Sequence, residues 1–297
     1  MPTLQFIRAT SPGCELTVAA RGEGLALAQR LPEVARTLSL ESGTFAKLFF
    51  ASSLFTTEEE QLFLSADEIF SWFGHAQPEV HAALRSLGVR RVGSFSFFSG
   101  QESLHAVAYY LRCVGGTELL CPSLALGHED KKWLETYWRQ RGWAARSRLL
   151  LLHPGSGGKK KRWDAEGFAH IARWWAARNN VQVLILLGPA EEQEAAHWRL
   201  LGDVESALSV WQAVALLSRS DLYVGNDSGV SHLAGAVGAR GVVIFGPTQP
   251  QQWRPLGGAL SVLRNLQYRG EHPDDAGIAL TEISVDEVIA ALSHLGA

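Results

Sequence analysis

Short apolar runs alternate with stretches of helical periodicity through the C-terminal half of the chain. Four runs have the length of buried strands, at 148–153, 181–188, 221–225 and 241–246. Apolar residues at helical spacing fill the intervals, at 164–178, 190–201, 211–220 and 230–238, with Asp164 and Gly238 as candidate cap residues. This alternation predicts a parallel sheet with helices on both faces.

The N-terminal half follows the same rhythm with weaker signals. Strands are predicted at 14–20, 67–74 and 90–98, and helices at 24–35, 78–88 and 103–115. A polar, tryptophan-containing helix is predicted within 129–143, either between domains or, alternatively, on a membrane surface. We therefore predict two domains, residues 1–145 and 146–297.

Size and charge exclude several classes of protein. The chain has 297 residues, of which 46% are hydrophobic, so it can bury two cores. The formal net charge of −3 gives no global basic field for nucleic acid. No apolar run reaches 18 residues, and the first residues do not resemble a secretory signal. Three cysteines without metal-ligand spacing indicate reduced thiols and a cytoplasmic location.

One polar segment lies between an apparent strand and an apparent helix. It contains Asp227, Ser228 and Gly229, with His232 one turn further on. Ligand crevices in parallel sheets lie beyond the carboxyl ends of the strands, and the first N–H groups of a helix suit a phosphate. Asp227 is an unusual neighbour for an anion, so it is expected to cap the helix or to accept hydrogen bonds from a sugar hydroxyl. Simple capping of an ordinary helix is the alternative for the whole segment.

A glycine-rich and basic loop follows the strand at 148–153. Its sequence, PGSGGKKKR over 154–162, combines flexible backbone, the Ser156 hydroxyl and four cations. The spacing is neither that of a Walker A loop nor G-x-G-x-x-G. The loop is interpreted as a ligand-binding loop, and a solvated surface turn is the alternative.

Two further polar loops follow strands of the same sheet. Glu191 and Glu192 could accept hydrogen bonds from a ribose, or could simply favour the dipole of the next helix. Thr248, Gln249 and Gln252 could bind hydroxyl groups. Four polar loops at one sheet edge predict a site for a phosphorylated, hydroxyl-rich ligand.

The segments HPGSGGKKKRW (153–163) and GNDSGVSHLAGAVGARGVVIFGPTQPQQWRP (225–255) together resemble the signature segments of glycosyltransferase family 9. The resemblance implies an α/β fold of the GT-B type, with two Rossmann-like domains whose parallel sheets face each other across a cleft. It also implies inverting, metal-independent transfer of a sugar, most typically heptose from ADP-heptose, onto a lipopolysaccharide-core acceptor. The implied partners are a nucleotide-sugar and a glycolipid, with peripheral contact at the inner face of the cytoplasmic membrane and no separate cofactor.

The resemblance assigns roles to individual residues. Lys161 would neutralise the leaving diphosphate, Leu208 would lie near the base, and a glutamate of the 191–192 pair near the ribose. The diphosphate and sugar would be held by Ser156, Gly157, Asp227, Ser228, Gly229 and His232.

The sequence departs from the family pattern at its start. Family members open with a strand and a Gly-Asp loop whose aspartate is the expected general base, and neither is found here. Glu102 and His105 are the candidate substitutes. Three explanations stay open: a truncated start, a divergent enzyme with another base, and a protein that binds a nucleotide-sugar without transferring it. The last is the alternative function, and a sugar-nucleotide epimerase of GT-B fold is a third.

Overall fold

The computed structural model describes residues 1–50, 54–188, 191–264, 280 and 282–296, which form two compact units. The units are Met1–Leu120 and Cys121–Ala297. The sequence placed the boundary near residue 145, about 25 residues later. The difference arises because the helix predicted within 129–143 packs on the C-terminal sheet.

The C-terminal unit is built on six parallel strands. They are β5 (Arg148–His153), β6 (Val181–Leu186), β7 (Asp203–Glu205), β8 (Leu222–Asn226), β9 (Arg240–Phe245) and β10 (Ala259–Arg264). Their order across the sheet is β10-β9-β8-β5-β6-β7. The predicted parallel sheet is confirmed, and its strand order is that of a Rossmann-type doubly wound fold.

Helices cover both faces of this sheet. They are α7 (His128–Gln140), α8 (Ala165–Ala176), α9 (Ala195–Trp198), α10 (Val210–Arg219), α11 (Gly229–Ala236), α12 (Pro250–Trp253) and α13 (Val285–His294). The central strand β5 shows why two layers are needed, because its leucines alternate between them. Leu150 and Leu152 pack with α8 and α13, whereas Leu149 and Leu151 pack with α7 and α10. All four leucines are fully buried, as expected for a central parallel strand.

The aromatic residues of α7 belong to the second of these layers. Tyr137 and Trp138, with Trp143 just beyond the helix, are buried against the sheet. Burial of three large aromatic side chains contributes several kcal/mol, of the order of 2–3 kcal/mol each. The aromatic face of α7 is therefore part of the core of this unit rather than a membrane-facing surface.

The N-terminal unit carries two separate parallel strand pairs. Strand β1 (Leu16–Ala20) pairs with β2 (Val34–Ser39), and β3 (Glu68–Ser71) pairs with β4 (Arg91–Ser94). The helices are α1 (Pro2–Thr10), α2 (Gly22–Ala28), α3 (Gly43–Lys47), α4 (Thr57–Leu64), α5 (Pro78–Ser86) and α6 (Ala106–Cys113). One apolar cluster, centred on Phe45, Phe63 and Val80, packs against both strand pairs.

Several elements differ from the sequence prediction for identifiable reasons. The helix predicted at 24–35 ends at Ala28, because Pro32 follows and 34–39 forms β2. The helix predicted at 190–201 reduces to a 3-10 turn at 192–194 and the single turn of α9, and its first residue lies outside the described residues. Strands β7 and β10 were not predicted, since β7 has three residues and β10 is half-buried.

Cys14, Cys113 and Cys121 are free thiols. Within the described ranges, no helix combines the length and apolarity needed to cross a bilayer.

Candidate functional site

The site lies where the strand order of the C-terminal sheet reverses. From β5 the chain moves outward through β6 and β7, and it then returns to the other side of β5 to form β8, β9 and β10. The loops that leave β5 and β8 therefore diverge and open a crevice at the carboxyl edge of the sheet. The glycine-lysine loop (154–162) follows β5, and Asp227 and Ser228 follow β8.

Asn226, the last residue of β8, ties these two loops together. Its side-chain amide donates to the carbonyl of Pro154 at 2.7 Å and accepts from the backbone N–H of Trp163 at 2.9 Å. Asn226 is fully buried, so these bonds are shielded from water. One side chain thus fixes both ends of the glycine-lysine loop.

Asp227 is the point at which the predicted binding residues meet. The Lys161 ammonium lies 2.9 Å from Asp227 Oδ2, and the Thr248 hydroxyl donates to the same oxygen at 2.6 Å. The Ser156 hydroxyl donates to the Asp227 backbone carbonyl at 2.8 Å. The structure therefore brings Ser156, Lys161 and Asp227 into direct contact, with Thr248 holding the carboxylate from the β9 loop.

The N-terminus of α11 borders this cluster. Ser228 is its N-cap, and the Ser228 hydroxyl accepts from the N–H of Ser231 at 3.4 Å. The capping role considered for Asp227 is thus taken by Ser228, and Asp227 binds Lys161 instead. Gly229 is exposed with open space where a Cβ would lie, and the same holds for Gly157. The half-buried His232 lies in the first turn of α11.

The two glutamates of the β6 loop have different environments. Glu191 is buried, and its carboxylate pairs with Arg162 at 2.5 Å and accepts from the N–H of Gly188 at 2.9 Å. Glu192 is exposed in the 3-10 turn. Contact of one glutamate with a ribose stays a prediction, and Glu192 is the one with an exposed side chain.

Three other predicted residues, Leu208, Gln249 and Asp164, occupy core or helix-cap positions. Leu208 is half-buried and packs on the same core layer as Val230. Val230 follows Gly229 in the chain. Gln249 is the N-cap of α12 and its side chain accepts from Arg264 at 2.7 Å. Asp164 is the N-cap of α8 without a side-chain capping bond.

The candidate general bases lie in the N-terminal unit. Glu102 is exposed between β4 and α6. His105 is the N-cap of α6, where its Nδ1 accepts from the N–H of Val107 at 3.1 Å. Their catalytic role stays a prediction.

Sequence reasoning missed the roles of three residues. Asn226 gave only the weak signal of an amide directly after a buried strand, and Arg162 was grouped with the lysine run. Thr248 was considered a hydroxyl contact, whereas it holds the Asp227 carboxylate. Spacing alone does not show which polar groups bond to each other across two loops.

Burial lowers the pKa of His153, the last residue of β5. Desolvation is the main cause, and it is partly opposed by the bond from Nδ1–H to the Leu186 carbonyl at 2.9 Å and by Glu191. The folded protein therefore keeps this ring neutral at a pH where the unfolded chain, with a histidine pKa of about 6.5, takes up a proton. The stability linked to His153 is complete above that pH and falls as the pH drops toward the lowered pKa.

We therefore expect His153→Asn to flatten the loss of stability in mildly acidic solution. Asparagine retains an N–H donor toward Leu186 and does not titrate. The free energy of unfolding, measured with urea between pH 5 and 7.5, should fall less steeply in the variant, by up to about 1.4 kcal/mol per pH unit. Equal slopes in the two proteins would show that His153 does not titrate differently on folding.

Among the residues that the structure describes, no group of three or more histidine, cysteine, aspartate or glutamate side chains is placed to hold a metal ion. Two ion pairs lie at the crevice. Lys161 pairs with Asp227, and Arg162 pairs with Glu191.

A Rossmann-type sheet with glycine loop, lysine and helix N-terminus at its switch point is typical of nucleotide-binding α/β proteins. The family model described as glycosyltransferase family 9 (heptosyltransferase) matches residues 122–275, more than half of the chain. The chain belongs to glycosyltransferase family 9. The family predicted from the two signature segments is confirmed.

Curated relatives match mainly over this region. Lipopolysaccharide heptosyltransferase 2 of Salmonella typhimurium is 30% identical over 164 residues, which are 50% of this chain and 46% of the relative. Lipooligosaccharide heptosyltransferase 2 of Campylobacter jejuni is 30% identical over 118 residues, which are 36% of each chain. The chain thus spans about half or less of the length of these relatives.

Two solved structures show the fold over nearly the whole chain. E. coli ADP-heptose LPS heptosyltransferase II superimposes with a TM-score of 0.75 at 18% identity, over 99% of this chain and 93% of that one. The family 9 glycosyltransferase of Veillonella parvula gives 0.77 at 17% identity, over 99% and 91%. The predicted α/β fold of the GT-B type is confirmed.

Proposed function

We propose that this protein transfers heptose from ADP-heptose to a lipopolysaccharide-core acceptor, with inversion at the anomeric carbon and without a metal ion. The proposal joins the family membership to the chemistry of the crevice in the C-terminal unit. Relatives at 30% identity are named lipopolysaccharide and lipooligosaccharide heptosyltransferases, and a structure of the same fold is named an ADP-heptose enzyme.

One observation carries the proposal. The Ser156 hydroxyl and the Lys161 ammonium both reach Asp227, which directly precedes the N-cap of α11. A hydroxyl donor, a cation and the first N–H groups of a helix are thereby gathered at one switch point. This combination suits two adjacent phosphates better than a neutral ligand.

The chemistry of transfer explains why such a site is useful. Cleavage of the bond between the sugar and the diphosphate leaves growing negative charge on the phosphate oxygens. Lys161 and the α11 N–H groups would stabilise this charge more strongly in the transition state than in the bound donor. Asp227, held by Lys161 and Thr248, would accept hydrogen bonds from sugar hydroxyls.

A binding measurement followed by a turnover assay tests the proposal. Titration calorimetry with ADP and UDP should show binding of ADP, and incubation with ADP-heptose and a heptose-acceptor core lipid should release ADP. If the protein binds ADP but produces no ADP from ADP-heptose, the result would support the alternative of a non-transferring nucleotide-sugar-binding protein. Failure to bind either nucleoside diphosphate would contradict both.

A further inference from the structure

Arg162, the last residue of the glycine-lysine loop, forms a largely buried ion pair with Glu191 to which the proposed reaction gives no role. The Arg162 side chain is 18% exposed and that of Glu191 4%. Their contact at 2.5 Å joins the loop after β5 to the loop after β6. A buried pair of charges is costly to desolvate, so it has to be well compensated to persist.

Each partner also holds the backbone of a loop. Arg162 Nη2 lies 3.4 Å from the Ser156 carbonyl, and the Glu191 carboxylate accepts from the Gly188 N–H. Bonding of the Ser156 carbonyl to Arg162 leaves the Ser156 hydroxyl directed at Asp227. The pair is therefore in contact with a residue proposed to bind the diphosphate.

The carboxylate lies directly against the glycine loop. A Cβ on Gly155 would lie only 2.6 Å from Glu191 Oε2, so any larger residue at 155 would displace the carboxylate. A negative charge against Gly155, the neighbour of Ser156 in the chain, repels a diphosphate bound at this loop unless a cation neutralises it. Arg162 is the cation in contact with it, and the more distant Glu194, at 3.7 Å from Arg162, adds a second acidic group on the same side.

We propose that Arg162 is a positioning residue for the diphosphate, which acts by neutralising the buried Glu191 carboxylate against the glycine-lysine loop rather than by touching the donor. This inference rests on the proposed function, since it assumes that the loop receives a diphosphate. It assigns the buried Glu191 to the loop and leaves the exposed Glu192 to approach a ribose.

A double-mutant cycle on ligands with and without phosphate tests the inference. The variants are Arg162→Met, Glu191→Gln, the double variant and the conservative Arg162→Lys, each titrated with ADP and with adenosine. We expect Arg162→Met to weaken ADP binding about tenfold or more, because a buried carboxylate is left uncompensated. The double variant and Arg162→Lys should return to within about threefold of the wild type, and adenosine affinity should change little in any variant.

The outcomes separate this inference from the proposed function. If the wild type binds ADP and Arg162→Met binds it equally well, the positioning role is wrong while the proposed function stands. A double variant as weak as Arg162→Met, or a parallel loss of adenosine binding, would also overturn the positioning role, because a purely structural contact gives that pattern.

Should Arg162→Met fail to fold, Arg162→Lys and Glu191→Gln still decide. A loss of ADP affinity near tenfold in either variant would contradict charge compensation. A wild type that binds no ADP overturns both proposals.

Discussion

Replacing Lys161 with methionine is expected to reduce sugar transfer by about 10²- to 10³-fold. Among the described residues, Lys161 supplies the one ammonium that contacts the Asp227 carboxylate. The diphosphate is proposed to bind at this point. Removal of this ammonium takes away a charge that acts most strongly when the leaving group is formed, so kcat should fall more than donor affinity. Initial rates of ADP release at a series of ADP-heptose concentrations give kcat and the KM for the donor.

Two matched variants isolate the cause. Lys159→Met changes an exposed lysine in the same 3-10 turn and should leave the rate within about twofold of the wild type, because a solvated charge contributes little. Lys161→Met also leaves the buried Asp227 without its ion pair, so Lys161→Met/Asp227→Asn tests whether that charge causes the loss. Equal rates for Lys161→Met and Lys159→Met would contradict the assigned role of Lys161.

Asn226→Ala is expected to give the largest loss of stability of any single change at the site. The variant would leave the Trp163 N–H and the Pro154 carbonyl buried without the partner that each has now. An unsatisfied buried backbone group costs about 1–3 kcal/mol, so two of them should cost about 2–6 kcal/mol. Urea unfolding followed by tryptophan fluorescence measures this free energy.

The chemistry of the substitution distinguishes hydrogen bonding from packing. Asn226→Asp keeps the volume and the acceptor for Trp163 but cannot donate to Pro154, so it should destabilise the protein as well. Asn179→Ala, at an exposed position after α8, is the matched control and should change the free energy of unfolding by less than about 0.5 kcal/mol. An Asn226→Ala variant as stable as this control would show that the two loops are held by other contacts.

Much of the C-terminal fold could be predicted from the sequence because four of its six strands, β5, β6, β8 and β9, are mainly apolar. The run RLLLLH gives β5 with the predicted bounds, since a strand buried on both faces cannot carry polar residues in its middle. Ser284 directly precedes the apolar-periodic run of α13, a pattern typical of an N-cap, and it accepts from the N–H of Glu287 at 3.3 Å. Half-buried strands such as β2 carry mixed residues and were missed or read as helix.

The candidate site was predictable only to the level of its loops. Polar residues after strand ends indicated which loops would meet, and Ser156, Lys161 and Asp227 do meet. The pairing within the site was not predictable, because the Glu191–Arg162 and Asp227–Thr248 contacts depend on loop conformation rather than on spacing. For the same reason Glu191 and Glu192, adjacent in sequence, could not be told apart.

A crystal structure of the protein with ADP tests the central claim most directly. The account predicts diphosphate oxygens within hydrogen-bond distance of the Ser156 hydroxyl, the Lys161 ammonium and the first N–H groups of α11. Lys161 would then be shared between Asp227 and the phosphates. Density for ADP at any other place, with these three groups unchanged, would contradict it.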